Sequence, residues 1–119
     1  MSVLNALKRL TASLGPEISA TLDPRDINPP SAWIAGRRAD EIMLGNRPTL
    51  IVADVYLITR DAGIPTALAA LDEMLDTALD KLAVAGIGVD SISLDESITI
   101  PSGGAPLPAY RLTVQVIGE

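Results

Sequence analysis

The chain has 119 residues, of which 48% are hydrophobic and 20% charged, and its formal net charge is −6. It contains neither Cys nor His, which excludes disulfides, thiol nucleophiles, Cys or His zinc sites and the usual general base. A chain with this negative net charge is also a poor candidate for binding the phosphates of nucleic acids. We therefore expect a single domain over residues 1–119 whose role is not catalytic.

The charge is unevenly divided along the chain. Residues 1–60 hold seven Lys or Arg against six acidic residues, net +1, whereas residues 61–119 hold two against nine, net −7. Such a division permits a head-to-tail arrangement in which the basic region of one copy meets the acidic region of the next. Folding could equally bring the two regions together within one molecule.

The first half of the chain begins with an amphipathic helix, predicted over residues 3–14 from apolar side chains at helical spacing and ended by Gly15-Pro16. A short strand (17–22) and a Pro-rich loop (23–30) follow. The first ten residues lack the order of a signal peptide. No apolar run approaches the roughly 20 residues of a membrane span, so we expect a soluble protein.

The middle of the chain is dominated by a strand predicted over residues 49–59. It is apolar on both faces, interrupted only by Asp54. Both faces of such a strand must be covered, one by the helices of the domain and the other by more of the chain or by another molecule. The preceding residues 31–35 are β-like, and residues 36–48 form either a protruding hairpin or a loop.

The second half is predicted to contain a helix over residues 66–83 and two strands over 91–100 and 110–117, joined by a Pro/Gly-rich loop. In the first of these strands Ile92, Leu94, Ile98 and Ile100 alternate with polar residues and should share one face. The element order predicts an α+β fold with a roughly four-stranded, mostly antiparallel sheet and two helices packed on one face.

Three carboxylates, Asp72, Asp76 and Asp80, recur four residues apart on one side of the second helix. They could form a metal or acid/base cluster, or a solvated face that meets basic side chains of a neighbour. Without a His or a second carboxylate motif, the solvated face is favoured.

Asp54 and Glu96 interrupt apolar strands, so each requires a partner such as an Arg, either within the chain or across an interface. A catalytic acid would need a nucleophile or base that nothing nearby supplies. Gly103-Gly104 lacks the Lys and the spacing of a phosphate loop, which favours a mobile hairpin tip.

Arg37, Arg38 and Arg47 could contact phosphate, but in an acidic chain they are better interpreted as contacts to acidic protein surface. Trp33, close to them in sequence, is a candidate interface anchor or a core residue.

The order of these elements resembles the tail terminator proteins of long-tailed bacteriophages, particularly those of actinobacterial phages and prophages. The resemblance covers nearly the whole chain. It rests on the Pro-rich stretch 22–34, the central strand 51–58, the acidic Ala/Leu-rich helix at 67–76 and the closing strand 110–117.

This resemblance implies a homo-hexameric ring that caps the end of the tail tube, stops its polymerisation and joins the tail to the head connector. DNA would pass through the lumen without sequence-specific binding, and neither enzymatic activity nor a cofactor would be involved. The protein would belong to the tail or neck of the virion and to the host cytoplasm during assembly. We expect the interface to include Trp33, Arg37, Arg38, Arg47, Asp54, Asp72, Asp76 and Asp80, with the arginines meeting the helix carboxylates of a neighbouring copy.

Two alternatives remain open. Another neck protein, such as a head–tail connector or completion protein, shares the size and the α+β character. A small α+β enzyme or ligand-binding dimer would need a pocket with converging polar groups.

Overall fold

The computed structural model describes residues 3–43, 46–61, 63–101 and 103–118, with side chains described throughout except at 40–43, 46–49, 64, 117 and 118. Within these residues the chain forms two α-helices and five strands. In order they are α1 (Val3–Leu14), β1 (Ala20–Thr21), β2 (Ser31–Met43), β3 (Asn46–Ile58), α2 (Ile64–Val84), β4 (Gly88–Ile98) and β5 (Leu107–Gly118), with a short 3-10 turn at Pro24–Asp26.

The described strands form one sheet in the order β1-β2-β3-β5-β4. β1 runs parallel to β2, and every other neighbouring pair is antiparallel. The predicted α+β class, with two helices and a mostly antiparallel sheet, is therefore confirmed. The observed sheet has five strands instead of about four, because the two residues Ala20 and Thr21 pair with β2 as a strand of their own.

β3 is the central strand, as its apolar sequence predicts. Val55 lies in register between Ile34 of β2 and Leu112 of β5, and all three side chains are buried. Leu10 from α1 and Leu71 from α2 join the same core. Both helices therefore cover one side of the sheet, which we call the helix-covered face, and the opposite side is the open sheet face.

Residues 36–48, predicted as a hairpin or a loop, are largely a hairpin. β2 and β3 pair as far as Met43 opposite Asn46, while the tip at residues 44–45 lies outside the described residues. The pairing of β3 with β5 starts only at Thr49. The hairpin therefore extends beyond the rest of the sheet.

The prediction that Ile92, Leu94, Ile98 and Ile100 share one face is wrong. The pairing of β4 with β5 shifts register between Ser93 and Glu96, and a shift of one residue exchanges the faces of all side chains that follow it. Ile92 therefore pairs with Leu112 on the helix-covered face, whereas Ile98 and Ile100 pack on the open sheet face against the small cluster of Ile27, Ile58 and Ala109.

Of the two alternatives for the second face of the central strand, the structure favours cover by the chain itself for the side chains that it describes. On the open sheet face, Val52 is 2% exposed and Ile58 is fully buried in the single chain. Val52 lies in register between Arg38 and Gln115, and Ile58 packs against Ile27 from the Pro-rich segment. Arg38, Gln115 and the Pro-rich segment therefore lie beside the apolar side chains of this face. The apolar sequence of β3 alone does not require a partner protein.

Candidate interaction surfaces

A row of side chains crosses the open sheet face in register. Ser93 of β4 lies opposite Arg111 of β5, which lies opposite Tyr56 of β3 and then Trp33 of β2. Trp33 and Tyr56 are half-buried and stacked, with ring centroids 5.2 Å apart and an interplanar angle of 19°. Trp33 therefore lies outside the main core, on a face where a partner could reach its exposed edge.

Asp54 lies in the next row and has partners within the chain. Its Oδ1 accepts a hydrogen bond from Thr113 Oγ1 at 3.0 Å and lies 3.7 Å from Arg37 Nη1. The Asp54 side chain is only 13% exposed, so these contacts satisfy the predicted need for a counter-charge. The arrangement is that of an intrachain ion pair.

Glu96 is satisfied in the same way on the same face. It accepts a hydrogen bond from Ser93 Oγ at 2.7 Å and lies 3.7 Å from Arg111 Nη2. A hydrogen bond with Tyr56, followed by the charge of Glu96, raises the pKa of Arg111 above its ordinary value. The ionic groups of the open sheet face thus neutralise one another, which leaves each carboxylate engaged as an acceptor.

The structure places the three helix carboxylates on the other side of the molecule. Asp76 and Asp80 are exposed on the outer surface of α2, and Asp72 accepts a hydrogen bond from Tyr110 Oη at 3.0 Å. Burial, followed by this bond to Asp72, raises the pKa of Tyr110. Among the described residues, no cluster of three or more carboxylates could hold a metal ion, so the metal alternative gains no support.

The three predicted interface arginines lie on the β2–β3 hairpin. Arg37 is about half exposed and pairs with Asp54, and Arg38 is exposed on β2 beside Val52. Arg47 lies in β3, but its side chain is outside the described residues. The structure therefore places Trp33 on the same sheet face as the Arg37–Asp54 pair and leaves the helix carboxylates apart from them. The expected pairing of arginines with carboxylates between copies remains a prediction.

Sequence reasoning missed two groups of exposed apolar side chains, one on and beside β4 and one at the start of α1. The first group consists of Leu68, Ile92 and Leu94, of which Leu94 is the most exposed at 60%. The second group consists of Val3 and Leu4 at the start of α1, and Leu4 is 53% exposed. The apolar residues themselves were visible in the sequence, but their exposure depends on how the elements pack.

The described residues line shallow grooves. Three of these grooves have volumes of about 270, 290 and 260 Å³, and each groove is open to solvent. The first runs between α2 and the segment around Glu17, where Glu17 pairs with Lys81 at 2.9 Å. The second lies beside the start of α2, and the third lies between α1 and the hairpin. A substrate site is usually a more enclosed cleft than these grooves are.

Among the described residues, no helix is long and apolar enough to span a membrane. The sequence matches no protein-family model and no curated protein.

Proposed function

We propose that this chain is a structural protein of a long-tailed bacteriophage, a tail terminator that assembles into a ring on the end of the tail tube. The ring would stop tube polymerisation, join the tail to the head connector and let DNA pass through its lumen. The identification with tail terminators rests on the resemblance in element order described above. We place the protein in the tail or neck of the virion and, before that, in the host cytoplasm.

The observation that best supports this role is that two connecting segments lie at opposite ends of the molecule. The β2–β3 hairpin extends past one end of the sheet, and the segment joining β4 to β5 leaves from the other end. The molecule is 50 Å long and 28 by 24 Å across, in keeping with 13-residue strands at about 3.3 Å per residue. A subunit of this shape suits a ring that contacts one partner above it and another below.

The chemistry of the open sheet face fits this role better than it fits catalysis. Its carboxylates, Asp54 and Glu96, are held by neighbouring side chains of the same chain, and the described grooves are shallow. What the surface offers instead is exposed apolar area beside β4 and at the start of α1, and an unequal distribution of charge along the sequence. Such features serve contacts between proteins.

The decisive experiment adds purified protein to polymerising tail tube subunits and measures tube length and the position of bound protein by electron microscopy. We expect bound rings at tube ends only, and shorter tubes as the protein concentration rises. Binding to isolated head connectors without any effect on tube length would identify another neck protein instead. Binding to neither partner would contradict the proposal and favour a ligand-binding or enzymatic role.

A further inference from the structure

We propose that residues 23–30 form a strap that closes over an apolar site at one end of the open sheet face. The strap opens as a unit while the sheet and both helices stay folded. Access to this end of the face is thus controlled by the chain itself, and the opening does not depend on the proposed role at the tail tube.

The apolar site beneath the strap is separate from the main core. Ile58 of β3 and Ala109 of β5 are 0% and 1% exposed, and Ile27 of the strap completes this cluster of buried side chains. Five partly buried apolar residues pack around the cluster, namely Trp33, Tyr56, Ile98, Ile100 and Leu107. The main core lies on the helix-covered face and shares no buried residue with this cluster, so opening the strap leaves the packing of the core intact.

Few contacts hold the strap to the sheet. Among its residues only Ile27 and Pro29 are buried. Arg60 Nε donates a hydrogen bond to the carbonyl oxygen of Pro29 at 2.8 Å, and within the part of the chain that the structure describes this is the one hydrogen bond from the strap to a distant residue. A segment tied by so few contacts opens more readily than the sheet on which it lies.

The strap keeps its own hydrogen bonds when it opens. Asp26 N and Ile27 N donate to the carbonyl oxygens of Asp23 and Pro24, which forms the short 3-10 turn. The Asp23 carboxylate accepts a hydrogen bond from Arg25 N and pairs with the Arg25 guanidinium, each at 2.9 Å. These partners all lie within the strap, so opening leaves none of these backbone groups without its partner. The strap therefore moves as an already formed unit.

A buried hydroxyl beneath the strap opposes its closure. Ser31 faces the open side, because it lies opposite Ile58 in the antiparallel pair of β2 and β3. Ser31 is 2% exposed, and its Oγ has no hydrogen-bond partner among the described residues. Such a hydroxyl destabilises the state that buries it, and opening the strap gives it access to water. Packing of Ile27 thus favours the closed state, and the desolvated Ser31 favours the open one.

Opening changes the surface that the molecule presents. Ile58 and Ala109 then join Trp33 and Tyr56 in one continuous apolar area. A molecule that contacts Ile58 must first displace Ile27, so its apparent affinity is lowered by the fraction of the protein that is open. The closed strap is in this sense an autoinhibitory contact.

The absence of Cys from the sequence allows a single introduced thiol to report this opening. Ser31→Cys places a thiol beneath the strap with little change in shape. Ala32→Cys is the matched control, because Ala32 is the next residue of the same strand and is 0% exposed in the main core on the other face. Both variants are reacted with a chromogenic disulfide reagent, without urea and in urea below the unfolding transition.

We expect the thiol of the Ser31→Cys variant to react at least about a hundredfold faster than that of the Ala32→Cys variant, because local opening is more frequent than global unfolding. Its rate should also depend less on urea, since opening the strap exposes less surface than unfolding does. The thiol does not need a hydrogen-bond partner as the hydroxyl does, so the measured opening is a lower limit.

Two further substitutions separate local opening from global unfolding. Val114→Ala weakens the main core, which stays packed while the strap is open. It should accelerate the reaction of the Ala32→Cys variant by about tenfold or more and leave that of the Ser31→Cys variant unchanged. Ile27→Ala should accelerate both reactions, because the contacts of Ile27 are lost in the open and the unfolded states alike.

The proposal is overturned if the Ser31→Cys and Ala32→Cys variants react at the same rate with the same dependence on urea, because the site would then open only when the whole domain unfolds. A Ser31→Cys thiol that reacts as fast as a free thiol would show that the strap is not closed. Acceleration of its reaction by Val114→Ala would also contradict a local opening. The isolated protein is used throughout, so these results are separate from any failure of tube capping.

Discussion

Asp54 illustrates at the residue scale how a carboxylate is held within an apolar strand. Its Oδ1 accepts a hydrogen bond from the hydroxyl of Thr113, a residue that is only 5% exposed. We predict that Asp54→Ala lowers the free energy of unfolding by about 1–2 kcal/mol, because the Thr113 hydroxyl loses its acceptor. Asp54→Asn keeps an acceptor oxygen and should lose less. Urea denaturation measures both variants, and equal losses would contradict this explanation.

Tyr110 gives the protein a predicted sensitivity to alkaline pH. Its raised pKa, caused first by burial and then by the bond to Asp72, means that the folded state holds the phenolic proton more tightly than the unfolded state. This contribution to stability is fully present below the unfolded pKa of about 10 and is lost as pH rises through the folded value. We expect the free energy of unfolding to fall as the pH rises above about 10, and to fall less steeply in Tyr110→Phe.

The matched control for this prediction is Tyr56→Phe, which removes a phenol from the open sheet face instead. If Tyr110→Phe and the unaltered protein lost stability in parallel over the alkaline range, the buried phenol would not be responsible. Chemical denaturation at a series of pH values makes the comparison.

Residue-scale expectations succeeded where they followed from the polarity of a single position. The need of Asp54 and Glu96 for partners could be predicted, because a carboxylate in an apolar strand requires one. The stack of Trp33 on Tyr56 could not, since it depends on the register between β2 and β3.

At the scale of elements, helices were predicted better than strands. α1 occupies the predicted residues 3–14, and α2 extends the predicted 66–83 by two residues at its start and one at its end. Helical periodicity and a Gly-Pro stop are local signals. The register shift in β4 left one weak local signal, Glu96, which breaks the apolar alternation of residues 91–100 where the shift occurs.

Two glycines in different elements should respond oppositely to the same substitution. A Cβ on Gly36 of β2 would lie 3.5 Å from Leu7 Cδ1, an ordinary contact, so we predict that Gly36→Ala stabilises the protein by about 0.5 kcal/mol. Gly63 precedes α2 with a φ of 88°, and there Gly63→Ala should destabilise by about 1 kcal/mol. Thermal and urea unfolding measure the stability of both variants. A lower stability of Gly36→Ala would contradict the prediction and show that Leu7 of α1 cannot move to accommodate the added methyl group.

At the scale of the whole molecule, the sequence predicts the fold class but not the strand order. That β4 ends the sheet, and that β1 covers only two residues of β2, follows from long-range pairings that local patterns do not encode. For this reason the interface predicted from the sequence was a set of charges around Trp33 and α2. The exposure of the apolar residues on β4 and at the start of α1 became visible only in the folded molecule.

Association between copies is predicted to weaken with salt. The predicted contacts between hairpin arginines and helix carboxylates of a neighbouring copy attract less when screened, so raising NaCl from about 50 mM to about 500 mM should weaken self-association by roughly tenfold. Arg38→Glu should weaken it at low salt and reduce this salt dependence. Sedimentation velocity over a range of protein concentrations measures both effects. Association that strengthened with salt would point to a purely apolar contact.

The stacked position of Trp33 has a practical consequence, because it is the only tryptophan in the chain. Its fluorescence emission reports selectively on the open sheet face. Assembly through surfaces away from the open sheet face should leave the emission maximum and the accessibility to acrylamide quenching unchanged. A partner that binds over the stacked rings should shift the emission to the blue and protect it from the quencher. One optical signal thus separates the two kinds of encounter.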